Sequence, residues 1–294
     1  MTTMLDLALV RPVILDGALG TELMKRGLPQ GAIPEIWNVE NAGAVRSVHA
    51  DYFSAGADAV STNSFGGHPL KLAASGLRAR CAELNRAAAE IAASVRPAGR
   101  YVVGSLGPSG KLLRPQGDAT EAELKAGFAE QVRALAEGGV DLILVETMID
   151  LREALCALSG SKKAAPGLPV AVSMTFGQTR RGFFTIMGDS VVRCAEDLAR
   201  NGVSAFGANC SLASGAMIAL TREIRAASPL PVIIQPNAGR PDINSEGGMT
   251  YAQTPSEFAS DMAQVAAAGA NILGGCCGTN PDSILALSAI LKRP

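Results

Sequence analysis

Three of the six cysteines in this 294-residue chain lie in contexts suited to metal binding. Cys276 and Cys277 are adjacent in GGCCGT, directly after the apolar segment NIL, and Cys210 ends the apolar segment AFGANC. Thiolates are soft ligands that favour Zn²⁺ over Mg²⁺ or Ca²⁺, and three protein ligands leave one tetrahedral position open, as in catalytic zinc sites. We therefore predict a catalytic zinc site. Two buried thiols or a vicinal disulfide are the alternatives for the adjacent pair.

The other cysteines and the two histidines lie in less suggestive contexts. Cys81, Cys156 and Cys194 each fall within a segment of helical periodicity, which indicates small buried side chains. His49 lies in a helical segment and His68 in a loop, and we expect both to be packing or surface residues. Disulfides are not expected, because a chain of this length needs no covalent staples and its N-terminal segment does not resemble a secretion signal.

Apolar, β-branched segments alternate with helical segments along the chain, and this alternation would position the cysteines. The predicted strands are 13–19, 58–65, 101–108, 142–148, 169–176, 205–210, 231–238 and 271–277. The predicted helices are 42–56, 78–96, 121–138, 150–164, 189–201, 214–227, 255–268 and 281–292. Eight such units favour an α/β fold, a single-domain (β/α)8 TIM barrel over residues 1–294. An open doubly wound sheet is the alternative, but LDGALGTEL lacks the G-x-G-x-x-G spacing of its dinucleotide sites.

Catalytic residues of TIM barrels lie at the carboxyl ends of the strands, and several predicted strands end in polar residues. Cys210 ends the sixth strand and the paired cysteines end the eighth, so all three should meet at one rim. Asp16 and Glu146 end the first and fourth strands and suit an ammonium group, and the amides of Gly17 and Ala18 suit a carboxylate. An Asx turn at Asp16 and an internal ion pair at Glu146 are the alternatives.

These motifs together resemble the zinc-dependent homocysteine S-methyltransferase family. The resemblance covers almost the whole chain and rests on LDGALGTELMKRG, GADAVSTNSFGG, GSLGPSG, DLILVETM, FGANCS, QPNAG and GGCCGTNP, in that order. It implies a barrel in which the three cysteines bind zinc and homocysteine binds through its sulfur at the open position. The implied substrate-binding residues are Asp16, Gly17, Ala18, Glu146 and Asn209. Asn237 matches a residue that occupies the fourth zinc position before the substrate binds, with a loop hydrogen bond as its alternative role.

The resemblance implies methylation of homocysteine to methionine, and the motif spelling is closest to the homocysteine-binding domain of cobalamin-dependent methionine synthase. Because this sequence contains no folate or corrinoid domain, we expect a methyl-corrinoid donor supplied by a separate protein, and a mouth without an aromatic lid. Betaine or another small onium donor is the alternative. Phe65, Phe176, Phe183 and Phe184 lie near predicted strand ends or rim loops and could form a small aromatic cage for it. A non-catalytic zinc-binding or redox-sensing barrel is the alternative of a different class.

The charge balance argues against other kinds of partner. There are 26 lysines and arginines against 27 acids, a net charge of −1, which gives no basic footprint for nucleic acid or an anionic membrane. No segment reaches the ~18 apolar residues that a membrane-spanning helix requires. We expect a cytoplasmic protein, a monomer or weak homo-oligomer, that binds neither nucleic acid nor membranes.

Overall fold

A computed structural model describes residues 2–243 and 249–292 of the chain. Its centre is an eight-stranded parallel sheet in the order β1-β8-β7-β6-β5-β4-β3-β2. The strands are β1 (Val13–Ile14), β2 (Ala59–Ser61), β3 (Tyr101–Leu106), β4 (Leu142–Met148), β5 (Val170–Met174), β6 (Ala205–Ala213), β7 (Val232–Asn237) and β8 (Ile272–Leu273). Sequential parallel strands with a helix after each are the arrangement of a nearly closed (β/α)8 barrel, so the predicted fold class is confirmed.

Helices cover the outside of the sheet, and all eight predicted helices are present. The helices are α1 (Met4–Val10), α2 (Leu19–Lys25), α3 (Trp37–Glu40), α4 (Ala42–Ser54), α5 (Pro69–Ala73), α6 (Cys81–Ser94), α7 (Glu121–Glu137), α8 (Leu151–Ala164), α9 (Val191–Arg200), α10 (Ser214–Ala227), α11 (Pro255–Ala267) and α12 (Pro281–Leu291), with 3-10 turns at Pro34–Ile36 and Arg78–Arg80. Capping boxes at Thr120 and Thr254 begin α7 and α11. Within the described residues, no helix is long and apolar enough to cross a membrane.

The sequence patterns predicted neither the N-terminal helix nor two hairpins. The hairpins pair Gly177–Thr179 with Gly182–Phe184, after β5, and Pro241–Ile243 with Met249–Tyr251, after β7. Helix α1 begins at a capping box between Thr3 and Asp6 and buries Met4 and Ala8 against the barrel interior. Because α1 closes the amino-terminal end of the barrel, a ligand must enter at the carboxyl end, where both hairpins lie.

Alternate residues of each strand fill the barrel interior. The apolar ones form one buried cluster with α1: Val13, Leu15, Ala59, Val103, Leu142, Leu144, Ala171, Ala205, Ile233 and Ile272. Two residues further along β3, β4, β5 and β7, and four residues further along β6, the inward positions become polar. These are Ser105, Glu146, Ser173, Asn209 and Gln235. The apolar interior therefore ends in a polar layer at the carboxyl end of the barrel, where a polar ligand can be recognised.

Strands β1 and β2, at the two ends of the sheet order, are joined largely through carboxylates. The Asp58 N–H donates to the Ile14 carbonyl at 2.7 Å, and the Ile14 N–H donates to Asp58 Oδ2 at 3.0 Å. The Ser61 N–H donates to Asp16 Oδ2 at 2.8 Å. Two side-chain carboxylates thus accept backbone hydrogen bonds that strand carbonyls accept elsewhere in the sheet. We call this contact between β1 and β2, made through Asp16 and Asp58, the β1–β2 seam. The cations paired with buried Asp58 are Arg11, Arg100 and Lys292.

His49 on α4 is fully buried, and neither ring nitrogen has a hydrogen-bond partner in the described part of the chain. Burial lowers its pKa from 6.5 to about 4, so only the unfolded chain protonates it between these values. Stability should therefore fall as the pH decreases below 6.5, by about 2 kcal/mol at pH 5 from this group. We predict that His49→Leu reduces the difference in unfolding free energy between pH 7.5 and pH 5 by about that amount, measured by denaturant unfolding. An equal loss at both pH values would instead indicate a packing defect.

Candidate metal and substrate site

Cys210 on β6 and the adjacent Cys276 and Cys277 after β8 come together at the carboxyl end of the barrel. Their sulfur atoms all lie within 4.8 Å of one another, and those of the adjacent pair are 3.9 Å apart. Tetrahedral zinc with Zn–S bonds of ~2.3 Å requires sulfur atoms about 3.8 Å apart. None of the three cysteines forms a disulfide. The strand ends therefore meet as the sequence predicted. Small side-chain adjustments would bring the three sulfur atoms to the separation that one zinc ion requires.

The other potential ligands are packing residues, as predicted. Cys81, Cys156 and Cys194 are buried on α6, α8 and α9, and burial raises the pKa of each thiol. The His68 ring is buried and lies edge-on to Phe128, with ring centroids 4.5 Å apart. These three thiols and the His68 ring are therefore buried packing groups.

The backbone is strained where β4 and β6 reach the site. Cys210 and Ser211 have φ values of 61° and 50°, and Thr147, next to Glu146, has a φ of 60°. These values lie in the left-handed region, which residues with a Cβ rarely adopt. The register of both strands with their neighbours shifts over the same residues. Such bulges re-aim side chains and are frequent beside functional sites, so local strain accompanies the placement of Cys210 and Glu146.

The three thiols shift one another's pKa because their sulfur atoms lie close together. Cys276 and Cys277 lower the pKa of Cys210, and Cys210 raises the pKa of both. Loss of a proton is therefore easiest at Cys210. A divalent cation with higher affinity than the remaining protons would be bound by three thiolates and would release those protons.

Asn237, at the end of β7, supplies an oxygen beside these sulfurs. It is buried, it is one of the neighbours that lower the pKa of Cys210, and its Oδ1 atom has no hydrogen-bond partner among the described residues. A buried carbonyl oxygen without a partner is costly unless a ligand uses it. Three sulfurs and one available oxygen form a donor set that fits tetrahedral zinc.

Two buried acids lie near the cysteines. Glu146 accepts hydrogen bonds from Ser105 Oγ and, at 3.4 Å, from Asn209 Nδ2, and burial raises its pKa to about 7. Asp16 accepts hydrogen bonds from the Ser61 N–H and Oγ at 2.8 and 3.0 Å. Burial, reinforced by the charge of Glu146, raises the Asp16 pKa to about 8. The structure shows hydrogen bonds from neutral donors at both acids, which leaves their charge available to a cationic ligand.

Asn209 lies behind Glu146. Its buried side chain accepts hydrogen bonds from the Thr147 N–H at 2.8 Å and from Ser173 Oγ at 2.9 Å, and it donates to Thr147 Oγ1 at 2.7 Å and to Glu146. The Asn209 amide is thereby hydrogen-bonded through both its oxygen and its nitrogen. In this position it holds the backbone bend at Glu146–Thr147.

The Gly17–Ala18 turn contacts the loop after the paired cysteines. The Ala18 N–H donates to Thr279 Oγ1 at 3.1 Å, and Thr279 Oγ1 donates to the Cys276 carbonyl at 2.7 Å. A Cβ at Gly17 would approach Thr279 Oγ1 to 2.6 Å and the Tyr52 hydroxyl to 2.9 Å, so this close approach requires glycine. Of the two amides expected to bind a carboxylate, that of Ala18 is already paired. Sequence reasoning missed Thr279, which joins the turn to a cysteine.

Tyr251, on the hairpin after β7, also lies beside the cysteines. Burial and the neighbouring Cys277 raise the pKa of the Tyr251 hydroxyl, and a Cβ at Gly278 would come within 2.5 Å of the Tyr251 Cβ. The expected mouth without an aromatic lid stays a prediction, but one aromatic ring does lie beside the cysteines. Sequence reasoning missed this contact, because without the hairpin nothing in the sequence placed residue 251 near residue 277.

The four phenylalanines considered for an aromatic cage do not offer a set of open faces. The buried members are Phe176 and Phe183. Each of the other two already faces a cation of the chain. Lys71 Nζ lies 4.9 Å from the centroid of Phe65, and Arg181 Cζ lies 5.7 Å from that of Phe184. A quaternary ammonium ligand would have to displace these side chains to use either ring.

Known proteins are similar to this chain in sequence and architecture. The chain is 32% identical over 315 aligned positions to methionine synthase of Mycobacterium tuberculosis, covering 100% of this chain and 26% of that protein. It is similar to the metallated form of the homocysteine methyltransferase MmuM from Escherichia coli, with a TM-score of 0.77, 28% identity, and 95% and 96% of the two chains covered. The carboxyl transferase domain of Rhizobium etli pyruvate carboxylase shares only the fold, at 12% identity, a TM-score of 0.51, and 90% and 40% coverage.

The length of the match differs between these relatives. The chain spans 26% and 25% of the methionine synthases of Mycobacterium tuberculosis and Mycobacterium leprae. The family model described as Homocysteine S-methyltransferase, by contrast, matches residues 13–291, nearly the whole chain and every strand of the barrel. The chain belongs to the homocysteine S-methyltransferase family.

Proposed function

We propose that this chain transfers a methyl group to the sulfur of homocysteine, forming methionine, with Zn²⁺ bound by Cys210, Cys276 and Cys277. The observation that carries the proposal is the cluster of three thiols within 4.8 Å at the carboxyl end of the barrel, where TIM-barrel enzymes act. Family membership supports homocysteine as the acceptor. Zinc, when bound, would lower the pKa of the substrate thiol from its usual ~8.5, so that the sulfur is nucleophilic at neutral pH.

The amino-acid end of the substrate would be oriented by the two buried acids. Glu146 and Asp16 are placed to accept hydrogen bonds from an ammonium group, whose charge would favour their ionised forms and release protons. Ser105 and Asn209 hold Glu146 in position, and the β1–β2 seam holds Asp16. We assign the substrate carboxylate to the Gly17 side of the Gly17–Ala18 turn. Fixing the sulfur in line with an incoming methyl group is then the main contribution of the protein.

Asn237 is our candidate for the replaceable fourth zinc ligand. Its position beside Cys210 and its buried Oδ1, which has no hydrogen-bond partner within the described part of the chain, support this role. The substrate sulfur would take its place, because a thiolate is a softer ligand than an amide oxygen.

A methyl-corrinoid, presented by a separate protein, is the donor that we propose. The similarity to proteins named methionine synthase supports it, and so do the two rim phenylalanines already covered by Lys71 and Arg181. Betaine or another small onium compound is the second candidate. Tyr251 favours that candidate, because an aromatic ring beside the sulfurs could contact a quaternary ammonium group.

A donor panel tests this proposal on zinc-loaded protein with homocysteine under reducing conditions. We expect methionine to form from methylcobalamin or a methylated corrinoid protein, and much more slowly from betaine, dimethylsulfoniopropionate, S-methylmethionine and S-adenosylmethionine. Cys277→Ser with the same donors controls for uncatalysed methylation. Efficient turnover with betaine and with none of the other donors would identify betaine as the methyl donor, and homocysteine would remain the acceptor. Absence of methionine with every donor would contradict the enzyme proposal and favour a non-catalytic zinc-binding or redox-sensing barrel.

A further inference from the structure

Tyr251 contacts the cysteine cluster, yet methyl transfer from a corrinoid as described above assigns it no role. We propose that Tyr251 is a positioning residue of the metal centre. Its ring packs on Gly278 in the turn that follows the paired cysteines, and its hydroxyl would donate a hydrogen bond to the Cys277 sulfur when that sulfur binds a metal ion. This inference rests on the proposed function, because it requires a metal ion at the three sulfurs.

Backbone contacts hold Tyr251 and Cys277 in a fixed relation. Tyr251 pairs with Pro241 across the hairpin. Two residues beyond it, the Gln253 N–H donates to the Ala238 carbonyl at 3.3 Å, and the Ala238 N–H donates to the Cys277 carbonyl at 2.9 Å. The hairpin base is therefore tied to the carbonyl of Cys277, and the Tyr251 ring packs on Gly278, the next residue. Two connections to adjacent residues favour a specific contact over a chance approach of a surface side chain.

The ring makes a second, independent contact at Gly278. This residue follows the paired cysteines directly and has a φ of 80°, a conformation that glycine adopts without strain. A Cβ at this position would meet the Tyr251 Cβ and Cδ2 atoms at 2.5 Å. The ring therefore packs directly on the backbone after the two sulfur ligands, in space that any larger residue at position 278 would occupy.

A hydrogen bond to a metal-bound sulfur acts on the metal through its ligand. It disperses part of the thiolate charge, favours the thiolate over the protonated thiol, and fixes the direction of the sulfur lone pairs. Loss of such an outer partner typically costs about 10–100-fold in metal affinity. We therefore expect Tyr251→Phe, which keeps the ring and removes the hydroxyl, to weaken zinc binding by about 10-fold.

The test compares Tyr251→Phe with Tyr101→Phe. The Tyr101 hydroxyl donates to the Thr2 carbonyl at 2.8 Å, at the start of β3 and the amino-terminal end of the barrel, so the same chemical change is made far from the cysteines. Zinc affinity is measured by competition with a chromophoric chelator, and the sulfur-to-metal charge-transfer band is measured with Co²⁺. We expect weaker zinc binding and a shifted cobalt band in Tyr251→Phe, with wild-type values in Tyr101→Phe.

Gly278→Ala provides a second variant that leaves the hydroxyl in the sequence and displaces the ring. We expect it to reproduce the cobalt band shift of Tyr251→Phe while circular dichroism shows an intact barrel. Wild-type zinc affinity and an unchanged cobalt band in Tyr251→Phe would overturn the inference and leave the proposed zinc site standing. Failure of the wild-type protein itself to bind zinc or cobalt would overturn both.

Discussion

Cys276→Ser should purify with almost no zinc and lose methyl transfer by more than about 10³-fold, whereas the wild-type chain should carry about one ion. The serine hydroxyl is a poor zinc ligand at neutral pH, and the two remaining thiolates cannot hold the ion against dialysis. Elemental analysis after dialysis measures the metal content. X-ray absorption on the wild-type protein should show a first shell dominated by sulfur at ~2.3 Å.

Cys194→Ser is the matched control for this prediction. Cys194 lies fully buried on α9, and burial raises its pKa to about 12, so its thiol is a packing group. The substitution should leave zinc content and activity unchanged and lower the stability by about 1–2 kcal/mol, because a hydroxyl is buried in place of the thiol. A first shell of nitrogen and oxygen, or full zinc retention in Cys276→Ser, would rule out the three-cysteine site.

Glu146→Gln should weaken homocysteine binding by about 10–100-fold while leaving the zinc content unchanged. The substitution preserves the shape of the side chain and removes the charge that we assign to the substrate ammonium. Isothermal titration of the zinc-loaded variant with homocysteine measures the effect. The control is Glu153→Gln. Glu153 on α8 is also a buried acid with a raised pKa, but it accepts its hydrogen bond from the Ser109 N–H at 2.7 Å.

The pH dependence separates the ammonium contact from ionisation of the substrate thiol. Methionine has the same amino-acid end and no thiol proton, so its affinity reports on the acids. Because burial raises the pKa of Glu146 to about 7, its carboxylate forms as the pH rises from 6 to 8, and methionine binding should tighten over that range. Glu146→Gln should flatten this increase. Equal binding and an equal slope in wild type and variant would remove Glu146 from the substrate site.

The placement of the cysteines could be predicted because it depends on local patterns. Each lies at the end of an apolar strand segment, and parallel strands of a barrel bring these ends to one rim. The regular strand is shorter than the predicted segment 271–277, since it comprises only Ile272–Leu273. Beyond Leu273 the backbone still bonds to its neighbours, because the Gly275 N–H donates to the Asp16 carbonyl at 2.9 Å and the Cys276 N–H to the Pro236 carbonyl at 2.7 Å.

Contacts between distant segments could not be predicted in this way. The bond from Ala18 to Thr279 spans 261 positions and that from Ser61 to Asp16 spans 45. Neither has a local signature, because a serine or threonine in a loop is compatible with many partners. Tyr251 was missed for a related reason, since its position depends on a hairpin with little strand pattern of its own.

If Asp16 binds the substrate ammonium as we propose, the β1–β2 seam links occupancy of the site thermodynamically to closure of the barrel. The same Asp16 carboxylate accepts the Ser61 N–H across the seam and is our candidate contact for the substrate ammonium. A bound cation that keeps Asp16 ionised would strengthen its bond to the strand, and opening of the seam would weaken ligand binding by the same free energy. Closure of the barrel and binding of the substrate would then be coupled through one carboxylate. A substitution at Asp16 that alters substrate specificity would therefore also alter the stability of the barrel.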